Sequence, residues 1–346
     1  MPTNLKWTAE QAKTWYDGRA WACGFNYVTS SAVNSTEMWQ AATFDEESIE
    51  RELGWARKLG FSACRVFLQY LVWEAEGAAF LETFERFLDI AGAKGLSVMP
   101  ILFDDCAFSG KQPYLGLQDA PVSGVHNSGW TPSPGHARVV DPGAWPRLEQ
   151  YATQLATRFG QDERIYLWDV YNEPGNSNLG NDSLPLLHAA FAWLRAAAPC
   201  QPLTVGTWSA GLPDLNQASL ELSDIVSFHS YEDLSKLKLQ VQALREQAAG
   251  RPLICTEWMA RTFNSLFATH LPFFREQGIA CFNWGLVRGK TQTHFPWGSP
   301  EGATEPEPWF HDILQPDGTP YREEEVAVIR AVTEGKPQRS HQPSHA

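Results

Sequence analysis

Short apolar runs alternate with amphipathic stretches eight times along this chain. The apolar runs lie at 22–28, 62–69, 96–103, 166–172, 203–208, 225–231, 252–258 and 279–285. Such alternation is typical of repeated strand–helix units, whose strands pair in parallel. Eight units predict an α/β fold of the (β/α)8 TIM barrel type, in which the strands close into a cylinder surrounded by helices.

The stretches between the apolar runs have the periodicity of amphipathic helices. We place helices near 45–59, 79–94, 145–159, 183–198, 234–249 and 266–277, with a weakly patterned one near 212–221 and a last one near 321–334. Acidic residues at 45–47 fit the first turn of a helix, and Gly60 and Gly95 stand where helices are expected to end.

Two connections are much longer than the others. They occupy 104–144 and 286–318, after the third and the eighth predicted strand. Because barrel proteins carry their sites at the C-terminal ends of the strands, both loops are expected on that face. A plainer interpretation is that they only cover the barrel mouth. We predict one catalytic barrel domain over residues 1–335 and a flexible C-terminal tail over 336–346.

Charge and hydropathy limit the classes of partner. The formal net charge of −13 disfavours nucleic acid and anionic membranes, because their phosphates would be repelled. No apolar run reaches the length of about 18 residues that a membrane span needs. The first residues lack a basic segment followed by an apolar core, so we expect a cytoplasmic protein, unless a secretion signal has been removed.

The cysteines and glycines predict neither a metal site nor a bound cofactor. Of the six cysteines, four fall inside predicted strands and none forms a CxxC pair. They are expected to be small buried side chains in a reducing compartment, without a disulfide or zinc framework. The phosphate-binding, dinucleotide-binding and nucleophile-elbow motifs are missing from the sequence, as is a His-x-x-x-His metal motif.

Two glutamates end predicted strands. Glu173 follows the apolar run 166–172, and Glu257 lies in the run 252–258. In a closed barrel both would emerge on the same rim and face each other across one pocket. Two opposed carboxyl groups, one protonated and one ionised, are what cleavage of a glycosidic bond requires. The 15 tryptophans fit a carbohydrate partner, because flat aromatic rings pack on the apolar faces of sugars.

The residues around these glutamates resemble a known group of enzymes. Asn172-Glu173-Pro174 after the fourth strand, with Glu257 at the seventh, is similar to glycoside hydrolase clan A, the retaining (β/α)8 glycosidases that include family 5 cellulases and mannanases. The likeness extends over roughly residues 20–335. It includes further strand-end residues: Arg65, His229, Tyr231 and Trp284. The resemblance implies that Glu173 is the general acid/base and Glu257 the nucleophile.

Each of these side chains has an expected role. Arg65 and Tyr231 are expected to hold Glu257 ionised, since a carboxylate that attacks carbon must carry its charge. Glu173 must hold a proton, so its surroundings are expected to disfavour its charge and to raise its pKa. Asn172 is expected near the 2-hydroxyl of the sugar.

His229 is expected to contact Glu173 or the substrate. Trp284 is expected to form a floor under the sugar ring. The alternatives are a core histidine and simple packing. For the two glutamates the alternative is a pair of structural ion pairs with arginine.

Other strand ends supply weaker candidates for sugar contact. Asp104 and Asp105 end the third strand, where many clan members place a histidine instead. They would accept hydrogen bonds from hydroxyl groups, although they could equally bind a cation or cap a loop. The remaining candidates are Asn26 and Trp39 after the first strand, Trp208 at the fifth, and His126, Asn127 and Trp130 in the long third loop.

The sequence thus predicts a retaining β-glycoside hydrolase that acts on β-linked oligo- or polysaccharides of the mannan, glucan or xylan type. The reaction would proceed by double displacement through a covalent glycosyl-enzyme, without a cofactor. The alternatives are a non-catalytic carbohydrate-binding barrel and a transglycosylase. The sugar, the linkage, terminal or internal cleavage and the oligomeric state are left open.

Overall fold

The strands form one parallel sheet that closes on itself. A computed structural model describes residues 6–335, so the predicted tail at 336–346 lies outside the described residues. The strands are β1 (Cys23–Tyr27), β2 (Ala63–Phe67), β3 (Ser97–Asp104), β4 (Trp168–Asn172), β5 (Leu203–Thr204), β6 (Gly206–Thr207), β7 (Val226–His229), β8 (Leu253–Trp258) and β9 (Ala280–Trp284).

The order of the strands confirms the predicted barrel. It runs β5-β4-β3-β2-β1-β9-β8-β7-β6, with parallel pairing throughout. The two ends of this sheet, β5 and β6, are joined through Val205 alone, so they form one broken barrel strand. The fold is therefore a (β/α)8 barrel, in which β7, β8 and β9 are the sixth, seventh and eighth barrel strands.

Helices surround the sheet. They are α1 (Ala9–Asp17), α2 (Ser35–Trp39), α3 (Glu46–Leu59), α4 (Tyr70–Glu76), α5 (Ala78–Ala93), α6 (His136–Val139), α7 (Trp145–Phe159), α8 (Leu184–Ala197), α9 (Pro213–Leu222), α10 (Leu234–Ala248), α11 (Phe267–Glu276) and α12 (Glu323–Glu334). Eight of them match predicted helices, whereas α1, α2, α4 and α6 were not predicted. Among the helices within residues 6–335, none combines the length and apolar character that a membrane span needs.

Helix α1 covers the N-terminal end of the barrel. It begins with a capping box, in which Thr8 and Gln11 satisfy each other's backbone N–H groups. Trp15 and Tyr16 of this helix pack against the apolar residues at the start of the strands. The Tyr16 hydroxyl donates to the Gly278 carbonyl at 2.8 Å and accepts from the Ala280 N–H at 2.7 Å. The helix is thereby fixed directly to the beginning of β9.

The two long loops are joined to each other. The Asn127 N–H donates to the Thr291 carbonyl at 2.8 Å, and Gly302 N–H donates to the Ser123 carbonyl at 2.8 Å. Gln292 Nε2 donates to the Val122 carbonyl at 2.7 Å. We call the joined segments 122–127 and 291–302 the loop bridge. Because β1 and β2 lie between β3 and β9 in the sheet, the bridge crosses the barrel mouth on that side.

Candidate active site

A cavity of about 1100 Å³ lies at the C-terminal ends of the strands. Glu173, directly after β4, and Glu257, near the end of β8, both line it. The predicted contact residues that also line it are Asn172, His229, Tyr231, Trp284, Trp208, His126, Asn127 and Trp130. Cavities of roughly 300–1,000 Å³ commonly hold small ligands. This one has room for more than one sugar ring.

The two glutamates face each other at short range. An oxygen of Glu173, an oxygen of Glu257 and a ring nitrogen of His229 all lie within 4.8 Å of one another. Retaining glycosidases place their carboxyl groups about 5 to 5.5 Å apart, whereas inverting ones leave about 6.5 to 9.5 Å for a water molecule. The spacing here is that of direct attack by one carboxylate.

The backbone at Glu173 is strained. Its φ of 43° lies in the left-handed region, which is unusual for a residue with a side chain. Such a conformation costs on the order of 1–3 kcal/mol and is found mostly where function demands it. At this position it directs the side chain of Glu173 into the cavity as the chain leaves β4.

Each oxygen of Glu257 has its own donor. Arg65 Nη1 lies 2.7 Å from Oε1, and the Tyr231 hydroxyl donates to Oε2 at 2.8 Å. The contact with Arg65 is a charge-assisted hydrogen bond inside the barrel, where such bonds are short and strong. Glu257 is consequently fixed in one orientation toward the cavity.

Arg65 connects Glu257 to the opposite side of the barrel. Its Nε donates to Asp169 Oδ2 at 2.8 Å, and its Nη2 donates to Asn172 Oδ1 at 2.7 Å. Burial alone would lower the pKa of Arg65, but Asp169 and Glu257 together raise it above its ordinary value. Arg65 is fully buried and does not line the cavity. Arg65 therefore holds Glu257, as expected, and is not placed to bind substrate itself.

Asn26 is likewise part of the support. Its Oδ1 accepts from Arg65 Nη1 at 2.7 Å, and its Nδ2 donates to the Thr256 carbonyl at 2.8 Å. Both ends of the amide are used by the protein, and the side chain is buried and does not line the cavity. The predicted contact of Asn26 with substrate is therefore wrong.

Three donors surround Glu173. His229 Nδ1 lies 2.8 Å from Oε1, while Asn176 Nδ2 at 2.5 Å and the Cys106 thiol at 3.3 Å approach Oε2. Burial would raise the pKa of Glu173, but the hydrogen bonds and the charge of His229 outweigh it and lower the pKa. The expectation of a raised pKa is contradicted, because donors stabilise the ionised form of this carboxyl.

Asp104 and Asp105 accept hydrogen bonds from other protein groups and do not line the cavity. Asp104 accepts from Asn172 Nδ2 and Trp130 Nε1, each at 2.8 Å. Asp105 accepts from the Tyr171 hydroxyl at 2.6 Å. Burial raises the pKa of Asp104 to about 7 and that of Asp105 to about 6. Since neither lines the cavity, the predicted sugar contact is wrong. Asp104 instead orients Asn172 and Trp130, which do line it.

Trp39 lies in the hydrophobic core. The chain after β1 forms helix α2, which turns this ring inward, where it is fully buried. It packs on Phe87 at 5.3 Å between ring centroids, and its Nε1 donates to the Phe67 carbonyl at 2.6 Å. The prediction that Trp39 contacts substrate is wrong.

Aromatic rings form the cavity floor near β2, β3 and β9. Trp284 and Trp130 lie 6.1 Å apart edge to face, and both contact Phe67, at 5.5 and 4.8 Å. On the other side the lining comes from the segments after β4, β6 and β7. There Trp208 is fixed by a hydrogen bond from Nε1 to the Pro174 carbonyl at 3.1 Å.

Several residues that line the cavity were not predicted from the sequence. Cys106 and Asn176 follow β3 and β4 closely, so the rule that strand ends carry the site would have found them. Trp297 and His311 belong to the long eighth loop, and no local pattern distinguishes them. Trp297 is 41% exposed, which is unusual for a ring of its size.

Glu173, His229 and Glu257 also have the composition of a metal site, since each offers one ligand atom to a common point. Their hydrogen bonds favour a different use. Arg65 places a positive charge 2.7 Å from Glu257, which would repel a cation. His229 Nδ1, the nearest nitrogen, already bonds Glu173.

Known proteins share this fold and part of this sequence. Endoglucanase Z of Dickeya dadantii is 23% identical over 150 residues, which are 40% of this chain and 34% of that enzyme. The matched part of the chain thus spans about a third of the length of this relative.

Similar solved structures cover nearly the whole chain. GH5_18 from Streptomyces cattleya, in complex with Manβ1-4GlcNAc, has a TM-score of 0.61 and 18% identity over 92% of this chain and 83% of that one. An exo-β-1,4-mannosidase from Opitutaceae bacterium strain TAV5 has a TM-score of 0.63 and 18% identity over 99% and 67%. At such identities the likeness shows the fold.

The family itself is shown by a match to the sequence. The model of the cellulase family, glycosyl hydrolase family 5, matches residues 59–288, which is more than half of the chain and contains Arg65, Glu173 and Glu257. The chain therefore belongs to glycosyl hydrolase family 5.

Proposed function

We propose that this protein hydrolyses β-linked glycosides with retention, with Glu257 as the nucleophile and Glu173 as the general acid/base. The observation that supports this most is the approach of the two carboxyl groups to within 4.8 Å across one cavity. Their different surroundings support the division of roles. Glu257 is held by the permanent cation of Arg65, whereas Glu173 is bonded by a histidine, an amide and a thiol.

In the first step Glu257 attacks the anomeric carbon and forms a glycosyl-enzyme while the bond to the leaving oxygen breaks. Glu173 gives its proton to that oxygen. The lowered pKa of Glu173 belongs to the site without substrate. A sugar that fills the cavity excludes water from this carboxyl, which favours its protonated form.

In the second step Glu173 takes a proton from a water molecule, which attacks the anomeric carbon and releases Glu257. The two inversions give net retention. Asn172 is bonded to Arg65 on one side and to Asp104 on the other. It is thereby held in the wall of the cavity, where it can bond the sugar through a contact that tightens as charge develops in the transition state.

The proposed substrates are neutral β-glycosides of the mannan, glucan or xylan type. Among the similar structures, one contains Manβ1-4GlcNAc and another is an exo-β-1,4-mannosidase, so β-mannosides are the first to test. The aromatic floor of Trp284 and Trp130 suits the apolar face of a pyranose ring.

The test combines two substitutions with two classes of leaving group. Glu257→Ala should abolish turnover of 4-nitrophenyl β-glycosides and of β-linked disaccharides. Glu173→Ala should slow the disaccharides by about 10²- to 10⁴-fold and the 4-nitrophenyl glycosides far less, because only the poor leaving group needs a proton. The anomeric configuration of the first product, followed by NMR, should be β.

Three results would contradict the proposal. They are equal losses on both leaving groups in Glu173→Ala, an α-configured first product, and sugar binding by the wild type without turnover of any substrate. The last would favour a carbohydrate-binding barrel. Transfer of most of the sugar to an acceptor sugar, with little hydrolysis even when that acceptor is dilute, would show the transglycosylase alternative.

A further inference from the structure

We propose that the cavity accepts only one sugar unit on the non-reducing side of the cleaved bond. His126, Asn127 and His311 would bind the hydroxyl groups of that terminal unit. The protein would then remove single neutral sugars from the non-reducing end of its substrate. This rests on the proposed glycosidase function and adds where along the chain the cut is made.

The loop bridge closes the cavity on one side. Beyond the hydrogen bonds already described, Gly124 N–H donates to Gln292 Oε1 at 3.0 Å. Gly124 packs so closely that a Cβ there would lie 2.5 Å from the Ala303 nitrogen, and a Cβ on Gly289 would lie 2.4 Å from Ser30 Cα. Contacts this tight fix the bridge as a wall of the cavity.

The bridge lies on the side where a longer sugar chain would continue. Glu173 protonates the leaving oxygen, so the leaving group must lie near β4. The segments there and after β6 and β7 line the cavity with the exposed Lys236 and the partly exposed Ser177 and Trp208, so this side reaches solvent. The bridge crosses above β1 and β2, away from that opening. A sugar chain can therefore extend toward the leaving-group side and not past the bridge.

Two histidines present hydrogen-bond acceptors at this wall. His126 Nδ1 lies 2.7 Å from the Phe295 carbonyl, and His311 Nδ1 lies 2.6 Å from the Met259 carbonyl. A carbonyl only accepts, so each Nδ1 carries the hydrogen and each Nε2 is an acceptor. Within residues 6–335 no protein group is bonded to either Nε2. The rings are 5.5 Å apart, and both line the cavity.

These rings stay neutral over the working range of most enzymes. Burial lowers the pKa of His126 to about 4 and that of His311 well below its ordinary value. Neutral acceptors suit the hydroxyl groups of an uncharged sugar. A uronic acid would bring a carboxylate against two lone pairs and would be repelled.

Asn127 adds an unsatisfied acceptor. It lines the cavity, is almost fully buried, and its Oδ1 has no hydrogen-bond partner among the described residues. A φ of 52° and the hydrogen bond from its N–H to Thr291 hold it in place. A buried acceptor without a donor is costly, and a sugar hydroxyl would supply the donor.

The first test is the pattern of products. On β-linked oligosaccharides labelled at the reducing end, we expect release of monosaccharide alone and chains shortened by one unit at a time. The same substrates with a 4,6-O-ethylidene group on the terminal sugar should not be cut. Internal cleavage, cutting of the blocked substrate, or turnover of a 4-nitrophenyl β-uronide as fast as the neutral glycoside would overturn the inference. Failure to cleave any β-glycoside would instead overturn the proposed function.

The second test removes the two histidine acceptors one at a time. His126→Phe and His311→Phe keep a ring of similar shape, and each should lower kcat/KM on the neutral 4-nitrophenyl glycoside about ten-fold. His188→Phe, at an exposed position on α8, is the matched control and should change nothing.

Deoxy glycosides, each lacking one hydroxyl group of the terminal sugar, identify the hydroxyl group that a histidine binds. Their kcat/KM with the wild type is informative even if a variant fails to fold. Removal of the hydroxyl that a histidine binds should lower wild-type kcat/KM by a similar factor and should cause no further loss in that variant. Two results would contradict the inference. Either no deoxy glycoside has a lower kcat/KM with the wild type, or the substitution lowers kcat/KM as much on every deoxy glycoside as on the parent glycoside. In either case these residues do not bind the hydroxyl groups.

Discussion

A buried thiol faces the proposed acid/base carboxyl. Cys106 Sγ lies 3.3 Å from Glu173 Oε2 and also accepts from Asn176 Nδ2 at 3.3 Å. Burial raises the pKa of the Cys106 thiol well above its ordinary value, so the sulfur keeps its hydrogen and acts as a donor. Part of the lowered pKa of Glu173 therefore comes from an uncharged neighbour.

Replacement of this thiol should change how activity depends on pH. In Cys106→Ala the ionised form of Glu173 loses a donor, so its pKa should rise. The alkaline limb of the kcat/KM profile, above which the acid has lost its proton, should move up by roughly half to one pH unit. Cys106→Ser keeps a donor and is the control. An alkaline limb that stays in place or moves down in Cys106→Ala would show that the thiol does not act on Glu173.

The sequence predicted which residues lie at the strand ends better than it predicted which way their side chains point. Glu173 and Glu257 could be found because a barrel puts every strand end on one rim. Trp39 and Asp105 also follow strands, but the local turn of the chain points them into the protein. The ionisation of Glu173 depends on Cys106 and Asn176, which approach it only in the folded chain.

At the scale of elements, one ion pair fixes the end of the eighth loop. Arg261 Nη2 lies 2.6 Å from Glu325 Oε2 on α12, and both side chains are largely buried. The same guanidinium donates to the carbonyls of Trp309 and Asp312, each at 3.0 Å. The short stretch that carries His311 is thus held between the segment after β8 and the last helix.

Loss of one partner should destabilise the fold. Glu325→Ala leaves the charge of Arg261 buried without compensation, so the free energy of unfolding should fall by about 3–5 kcal/mol, measured by chemical denaturation. Glu324→Ala, the exposed neighbour on α12, should stay within about 0.5 kcal/mol of the wild type. Equal stability of the two variants would show that the pair contributes little.

The elements were predicted where periodicity is long. All eight longer helices after β1 and all barrel strands follow from apolar spacing, to within a few residues. Helices α2 and α6 have five and four residues, too few for a helical period to be recognised. Helix α1 did carry a signal, because Thr8 and Gln11 have capping-box spacing.

At the scale of the whole molecule, one buried network ties the barrel together. Arg65 on β2 bonds Asn26 on β1, Asp169 and Asn172 on β4, and Glu257 on β8. Both Arg65 and Asp169 are fully buried. The site is therefore connected through a charged group that substrate does not touch.

A double-mutant cycle measures this connection. Asp169→Ala removes one of the two acids that compensate Arg65, so the free energy of unfolding should drop by about 3–5 kcal/mol. Arg65→Met should also destabilise, because it leaves Asp169 and Glu257 without their cation. Denaturation of the double variant should show less than the sum of the two losses, since no unpaired charge remains between positions 65 and 169. Additive losses would mean that the two residues act independently.

The closed barrel could be predicted from the sequence, but the shape of its mouth could not. Strand order follows from right-handed repetition of one unit, and each apolar run contributes to it. The loop bridge instead depends on hydrogen bonds between residues such as Val122 and Gln292, which are far apart in sequence and lack any repeating pattern. Whether the long loops cover one side or leave a trough is decided only when they meet.

Helix α1 has a consequence for the order of events in the proposed reaction. It plugs the barrel from beneath, and the opposite face is walled on one side, so departing aglycone, entering water and released sugar all share the same passage. The aglycone must clear that passage before water can reach the glycosyl-enzyme. Any alcohol small enough to enter, if concentrated enough, will compete with water for the bound sugar.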